Sequence, residues 1–483
     1  MTHDAFDRLL AHASRRAGSH IAGAGQRPPR PLTSAAALRT AFHLPLAENG
    51  RDPHEVIDAL VDAAEPGLMG NTGSNFFGWV MGASSPVGMA ADLLTTIWGQ
   101  NAAIYQTSPA AAIAEETVAQ WLLDIFDLPR ESSVGFTTGA TMASFIGLAA
   151  ARSEVLHRRG WDVETDGLIG APTVHVFIGA EAHTSVLCAL RQLGFGERNL
   201  IRIPADAQGR MQVSLLEAAL SRTVGAKIIV AQAGHINSGA FDPLERIGEL
   251  AREHDAWLHV DGAFGLWARA TPALRELCIG VDTADSWAVD GHKWLQLPYD
   301  SGFAIVRDAE AHRRAMGMTA SYLNRDDEDG RNPSDWVPEL SRRARGFAAW
   351  AVMQTLGRKG MREMVERHCE CARQLAKQMA GVPGVRVLND VCLNQVVLTF
   401  GDNTPGDPRS LTDAVIAEIQ RENTSFVSGA DWQGRRVMRV SVIARDTDAR
   451  DIVNLSRSIL RAWRRVSRPD SKDVAPQQSL PVM

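Results

Sequence analysis

Short apolar runs alternate with helix-periodic stretches through the central part of this chain. The runs are four or five residues long, which suits buried strands better than helices. They span residues 174–178, 227–231, 257–260, 286–289 and 303–306. Strands that alternate with helices predict an α/β fold, in which helices cover both faces of a mostly parallel sheet. We expect this pattern to form one large domain over residues 76–345.

Residues 1–75 predict an arm in front of the large domain. Breakers cluster at residues 23–31, and residues 54–64 show the periodicity of one short amphipathic helix. Such an arm has little core of its own, so we expect it to pack on a partner subunit.

The pattern changes again near the end of the large domain. Residues 318–335 are polar and contain Gly and Pro, which predicts a mobile loop because long polar loops are usually functional or disordered. A long helical segment then leads to residues 395–400 and 437–442, which alternate like antiparallel strands. These elements predict a small α+β C-terminal domain over residues 346–466. We expect residues 467–483 to form a disordered tail.

Composition and charge narrow the class of protein. The 483 residues are 45% hydrophobic and 22% charged, close to the globular average, and the net charge is −6. A chain with this net charge has no excess of positive charge that would indicate nucleic-acid binding. The sequence contains no run of about 20 apolar residues that would cross a membrane, and its first residues lack the pattern of an export signal. We therefore expect a cytoplasmic protein.

The cysteines predict neither disulfides nor a metal site. Cys369 and Cys371 are separated by one residue, and no second pair completes a zinc-binding pattern. We expect all five cysteines to be reduced thiols, and we expect no bound metal.

Polar side chains follow four of the predicted strands. His183, Asn237, Asp261 and Lys293 each lie a few residues beyond the end of a run. Because open α/β sheets bind ligands beyond the carboxyl ends of their strands, we expect these side chains to meet at one edge. Each also has a plainer explanation: Lys293 can extend to solvent, Asp261 can cap a helix, and His183 can be a core histidine.

Together these residues suit pyridoxal 5′-phosphate (PLP). PLP needs a lysine amine for its aldehyde, a carboxylate beside its pyridine nitrogen, and backbone N–H groups for its phosphate. Lys293 can supply the amine and Asp261 the carboxylate. The helix start at residues 138–141 offers a phosphate cradle, and His183 can stack on the ring.

Two short segments carry a resemblance to a known family. Residues 259–263 (HVDGA) and 290–295 (DGHKWL) resemble the signatures of the group II PLP-dependent amino-acid decarboxylases, which include the aromatic-L-amino-acid decarboxylases. The resemblance extends over about residues 76–460. It implies the type I fold of PLP-dependent transferases, with a seven-stranded type of sheet, and a homodimer. The implied reaction is α-decarboxylation of an L-amino acid to an amine and carbon dioxide.

The resemblance also implies roles for individual residues. Lys293 would form the Schiff base, Asp261 would pair with the pyridinium nitrogen, and His183 would stack on the ring and help proton transfer. Tyr322, in the polar loop, would protonate the product carbon. The other implied cofactor contacts are Ala140, Thr141, His292, Asn237 and Ala263.

Departures from the family pattern leave the substrate open. Residues 71–79 lack an expected histidine, Ile236 replaces a threonine, and Asp290 replaces a commoner asparagine. Aromatic side chains can still line a pocket, although such clusters more often belong to a core. The candidates are Phe76, Phe77, Trp79 and Trp98.

We therefore expect an aromatic L-amino acid as the substrate. Three alternatives stay open: a non-aromatic amino acid, a carbon–carbon lyase or aldehyde-forming reaction on the same fold, and a non-catalytic binding protein.

Overall fold

A computed structural model of the chain describes residues 2–23, 27–318, 330–401 and 406–467. The α-helices in these ranges are α1 (His3–Gly23), α2 (Ala35–Phe42), α3 (Pro53–Ala64), α4 (Pro86–Trp98), α5 (Pro109–Phe126), α6 (Ala140–His157), α7 (Val163–Asp166), α8 (Thr184–Gln192), α9 (Val213–Ser221), α10 (Leu244–Glu253), α11 (Ala309–Met316), α12 (Arg345–Met379), α13 (Pro408–Glu422) and α14 (Ala449–Ser467). The strands are β1 (Ser133–Thr137), β2 (Val174–Gly179), β3 (Ile201–Ile203), β4 (Ala226–Gln232), β5 (Ala256–Asp261), β6 (Ser286–Asp290), β7 (Gly302–Val306), β8 (Val385–Val387), β9 (Gln395–Phe400), β10 (Ser428–Trp432) and β11 (Arg435–Ser441).

The large sheet contains seven strands in the order β1-β7-β6-β5-β4-β2-β3. Strands β2 to β6 pair in parallel, whereas β7 runs antiparallel to both β1 and β6. Helices α6, α8 and α11 cover one face, and α5, α10 and the first part of α12 cover the other. The predicted α/β class with a mostly parallel, helix-covered sheet is confirmed.

Strand β4 shows why these runs form buried strands. Its side chains alternate between the two faces, so Ile228 and Val230 pack under α6 while Ile229 and Ala231 pack on the opposite layer. All seven of its residues are buried. A strand covered on both faces must be apolar at nearly every position, which is why the sequence shows a continuous run here.

The small sheet contains four antiparallel strands in the order β10-β11-β9-β8. The second part of α12, with α13 and α14, packs on one face of this sheet. The two parts of α12 meet at Gly357, whose φ of 56° interrupts the helical backbone. Since α12 begins at Arg345 and connects the two sheets, we propose residue 345 as the boundary between a large and a small domain.

The N-terminal arm contains more helix than the sequence suggested. Besides α3, which was predicted, the arm contains α1 and α2, and none of the three helices has a buried residue. Apolar side chains such as Phe6 and Leu60 stay exposed on this chain. In the described ranges, no helix combines the length and the apolar character needed to cross a membrane.

Candidate active site

The polar residues singled out in the sequence lie at the carboxyl ends of neighbouring strands. Asp261 ends β5, Asp290 ends β6, and Lys293 follows three residues later. In the parallel register Asp261 lies beside Ala288, so the two strands end side by side. His183 follows β2 and caps α8. His183 and Asp261 line the same small cavity, and the charges of His183 and Lys293 both act on the carboxyl group of Asp261.

Asp261 is a buried carboxylate with one backbone donor. The side chain is 8% exposed, and its Oδ1 accepts a hydrogen bond from the N–H of Ala263 at 3.1 Å. Burial raises the pKa of Asp261, and the positive charges of His183 and Lys293 oppose that shift. A cationic partner would lower this pKa further and keep the group ionised. A protonated pyridine nitrogen is a partner of that kind.

Lys293 is held by a carboxylate from its own segment. Its Nζ lies 2.8 Å from Oδ2 of Asp290, and the two side chains are 17% and 5% exposed. The same Nζ lies 5.8 Å from the centre of the Phe264 ring. The amine is thus partly shielded from water and still faces the cleft, as a lysine that forms covalent adducts requires.

The N-terminus of α6 opens onto the same cleft. Its cap residue is Gly139, which has no side chain to bond the first turn, and the N–H of Ala140 donates to Oδ1 of Asp290 at 2.6 Å. A Cβ on Gly139 would lie 3.0 Å from the His292 ring, so glycine is needed for this close approach. Thr141 and His183 line a cavity of about 600 Å³ beside it. Backbone N–H groups at a helix start suit a phosphate.

His292 and His183 flank the lysine with different environments. The Nδ1 of His292 accepts from the N–H of Ser301 at 3.2 Å, so the other ring nitrogen carries the proton, and it faces Asp290 at 3.4 Å. The Nδ1 of His183 accepts from the N–H of Ser185, and its ring stays accessible at the mouth of the cleft. Partial desolvation lowers the pKa of His183, Asp261 opposes this shift, and Lys293 reinforces it.

Arg439 is a site residue that the sequence analysis did not single out. It lies on β11 with 8% exposure, its Nη1 donates to Oδ1 of Asn237 at 3.3 Å, and its Nε has no hydrogen-bond partner among the described residues. Burial lowers the pKa of Arg439 to about 10, and its charge acts on His183. The sequence contains a sign of this residue's role, because an arginine interrupts the apolar positions of the strand at residues 437–442.

A polar network joins the two domains behind His183. Oε2 of Glu181 accepts from the indole N–H of Trp432 at 2.8 Å and lies 3.1 Å from Nε2 of His235. The His235 side chain is only 2% exposed. Trp432 belongs to the small sheet, whereas the other two residues follow β2 and β4. This network fixes the small domain against the loop that carries His183.

The predicted pocket aromatics fall into three environments. Phe76 and Trp79 stack on Phe426, with ring centres 4.7 and 5.3 Å from it, and Trp79 is 46% exposed. Phe77 is fully buried in the core of the small domain instead. Trp98 packs edge-on against Phe347 instead. Tyr322, the predicted proton donor, lies outside the described residues.

The residues that the structure brings together fit PLP. The cleft offers a partly shielded amine, a buried carboxylate without a salt-bridge partner among the described residues, and a glycine-capped helix start. No group of His, Cys, Asp and Glu side chains in the described residues is arranged to hold a metal ion. The fold and this set of groups define a PLP-dependent enzyme of fold type I.

Comparison with known proteins identifies the family. The family model "Pyridoxal-dependent decarboxylase conserved domain" matches residues 41–400. The chain therefore belongs to the pyridoxal-dependent decarboxylases, and it is a PLP-dependent amino-acid decarboxylase. The resemblance seen in the sequence is confirmed.

Individual relatives differ in the amino acid for which they are named. Aromatic-L-amino-acid decarboxylase of Bacillus atrophaeus is 26% identical over 87% of this chain and 88% of its own length. L-2,4-diaminobutyrate decarboxylase of Rhizobium meliloti (strain 1021) is 33% identical over 57% of this chain and 55% of its own. The crystal structure of Oryza sativa TDC with PLP and tryptamine shares the fold, with a TM-score of 0.90, 21% identity, and coverage of 97% of this chain and 99% of that one.

Proposed function

We propose that this decarboxylase acts on an aromatic L-amino acid and releases the corresponding amine and carbon dioxide. The observation that carries the proposal is the half-exposed Trp79, stacked on Phe426 beside the segment that holds Lys293. Three residues after Trp79, a Cβ on Gly82 would overlap the carbonyl oxygen of Lys293, so this segment of the backbone runs directly along the backbone of the lysine.

Three residues hold the cofactor in this proposal, in the roles that the sequence suggested. PLP supplies an aldehyde that binds amines covalently and a protonated ring that accepts the electron pair left when carbon dioxide departs. Lys293 holds the cofactor through its amine, Asp261 keeps the proton on the ring nitrogen, and His183 packs on the ring face. Further contacts come from Ala140, Thr141, His292, Asn237 and Ala263.

Arg439 orients the substrate carboxylate. A buried guanidinium whose Nε has no hydrogen-bond partner in the described part of the chain gains most from a carboxylate, because charge-assisted hydrogen bonds are strong where water is excluded. Arg439 pairs with Ser428 in the register of β10 and β11, and Oγ of Ser428 accepts from the N–H of Trp79 at 3.4 Å. A substrate bound to Arg439 by its carboxylate therefore has Trp79 within reach of its side chain.

Tyr322 completes the catalytic set. In this proposal its hydroxyl delivers a proton to the α-carbon after carbon dioxide has left. A proton delivered to that carbon gives an amine, which favours simple decarboxylation over the aldehyde-forming alternative.

A substrate screen tests the aromatic assignment. Release of carbon dioxide is measured for each L-amino acid with the wild type, Trp79→Ala and a control, Trp350→Ala. Trp350 is a tryptophan of similar exposure, 44%, whose ring faces Trp121 on the α5 side of the molecule. We expect turnover of an aromatic amino acid, with a KM about tenfold higher in Trp79→Ala and unchanged in Trp350→Ala, given the value of one aromatic contact.

The same screen can contradict the proposal. Turnover confined to diaminobutyrate or to acidic amino acids would show that the pocket does not select aromatic substrates. Aldehyde, ammonia and peroxide in place of the amine would identify the aldehyde-forming reaction. Failure of every amino acid to change the cofactor spectrum would favour the non-catalytic alternative.

We also propose that two copies assemble through the N-terminal arm. Helices α1, α2 and α3 contain no buried residue in the single chain, although they present apolar side chains such as Phe6, Val56 and Leu60. Helices of this kind gain most of their stability from packing against another surface. Light scattering should give twice the chain mass of 52.4 kDa, and deletion of residues 1–64, which removes all three helices, should give the monomer.

A further inference from the structure

Asp290 contacts both groups that a bound cofactor needs. Its Oδ1 accepts from the N–H of Ala140 at the start of α6 at 2.6 Å, and its Oδ2 lies 2.8 Å from Nζ of Lys293. The side chain is 5% exposed, and the Nε2 of His292 lies 3.4 Å away. One carboxylate thus holds the helix start and the lysine amine at the same time.

Each of these contacts opposes a step of cofactor binding. The N-terminus of a helix attracts anions, and a carboxylate that already lies there repels a phosphate. The amine of Lys293 must leave its ion pair with Asp290, whose Oδ2 lies 2.8 Å from Nζ, before it can attack an aldehyde. The same side chain therefore acts against the phosphate and against the covalent bond.

We propose that Asp290 is an internal anion that competes with PLP for the start of α6 and for Lys293, so that this enzyme binds its cofactor weakly and exchanges it readily. The inference rests on the proposed cofactor roles of Ala140 and Lys293. In the covalent step the ammonium group of Lys293 first releases a proton to solvent. Its nitrogen then forms a double bond to the aldehyde carbon, and the aldehyde oxygen leaves as water.

The packing around Asp290 keeps the carboxylate in this position. Its own N–H donates to the carbonyl of Ala263 at 2.9 Å, and its carbonyl accepts from the indole of Trp267 at 3.2 Å. A Cβ on Gly139 would lie only 3.1 Å from Oδ1, so the space around that oxygen is already filled. The charge is therefore held in place in the binding site.

Asp290→Asn isolates the charge, because the amide has the same shape and its oxygen can still accept from Ala140. The matched control is Asp300→Asn, in the same segment of the chain. The Asp300 side chain is 45% exposed, and its Oδ1 pairs with Arg345 at 2.9 Å. The apoenzyme of each variant is titrated with PLP, and binding is measured by the visible absorbance of the cofactor. A second titration uses pyridoxine 5′-phosphate, which has an alcohol in place of the aldehyde, and binding is measured by quenching of protein fluorescence.

We expect Asp290→Asn to bind both ligands about tenfold more tightly, the effect of one charge at a partly buried helix start. The rate of covalent attachment of PLP should also rise, and Asp300→Asn should match the wild type in every measurement. Asp290→Ser, which also removes the charge, should give the same direction if the asparagine variant folds poorly.

Equal or weaker binding of both ligands by the neutral variants would overturn the inference. If the neutral variants bound PLP more tightly but had an unchanged affinity for pyridoxine 5′-phosphate, the claim that Asp290 competes with the phosphate at the start of α6 would be wrong. These results are separate from failure of the proposed function, which would show as wild-type protein that binds PLP without covalent attachment and turns over no amino acid.

Discussion

Replacing Arg439 by methionine should make the apoenzyme more stable and the holoenzyme far less active. The guanidinium is buried, and desolvation alone lowers its pKa to about 10. A base with a lowered pKa in the folded state disfavours folding at every pH below that value. At neutral pH the cost is therefore fully present, and a shift of this size corresponds to about 3 kcal/mol.

Methionine removes that cost and fills similar space, but it also loses the hydrogen bond to Asn237, worth about 1 kcal/mol. The expected net gain in the free energy of unfolding is about 2 kcal/mol. Catalysis should move the other way. Removing one member of a buried charge pair costs about 2–5 kcal/mol, so kcat/KM should fall by about 30-fold or more.

Urea unfolding of the apoenzyme at pH 7 and steady-state kinetics measure the two effects. Arg269→Met is the matched control. Arg269 is 9% exposed, but its guanidinium donates to the carbonyl of Phe126 at 2.8 Å and pairs with Asp127 at 3.2 Å. The control should lose stability, with kcat/KM per folded molecule unchanged. An Arg439→Met enzyme that is destabilised and fully active would refute the reasoning.

Two further predictions follow from buried titratable groups. Asp261→Asn should lower kcat by about 10²–10³-fold, the range for removing one preorganised electrostatic group, while PLP remains bound; near wild-type turnover would contradict its role. Burial lowers the pKa of His312 to about 3, so this histidine stays neutral in the fold while it titrates near 6.5 when unfolded. Stability should therefore fall as the pH drops below about 6.5, by about 2 kcal/mol per such group between pH 7 and pH 5. His312→Gln should reduce the difference in the free energy of unfolding between pH 7 and pH 5 by about 2 kcal/mol, as measured with urea. An unchanged difference would refute the assignment to His312.

The sequence was most informative where burial forces a continuous apolar run. The predicted strands at residues 174–178, 227–231 and 257–260 lie within β2, β4 and β5, because strands covered on both faces allow few polar residues. Strand β1, at Ser133–Thr137, was missed. It contains glycine and small polar residues, which do not signal a strand, and it is stabilised by its pairing with β7.

The site could be predicted in part for a related reason. His183, Asp261 and Lys293 each follow a recognisable strand, so topology alone predicts that they meet. Arg439 reaches the same cleft from a different sheet, about 146 residues after Lys293, and nothing in the local pattern fixes how the two domains dock. The direction of β7, antiparallel in an otherwise parallel array, is likewise set by long-range pairing.

Because the site residues come from two domains, the site contains opposite charges that do not neutralise each other. The large domain contributes the buried carboxylate of Asp261, whereas the small domain contributes a buried cation, Arg439, and neither forms a salt bridge among the described residues. Full pairing within one domain would leave no free charge for a ligand. Docking the domains through Glu181 and Trp432 instead brings Arg439 into contact with Asn237 of the large domain, while its Nε keeps no hydrogen-bond partner among the described residues. In the proposed function, the carboxylate of the amino acid would pair with Arg439 and the basic ring nitrogen of the cofactor with Asp261, so part of the electrostatic cost of burying these two charges would become binding energy.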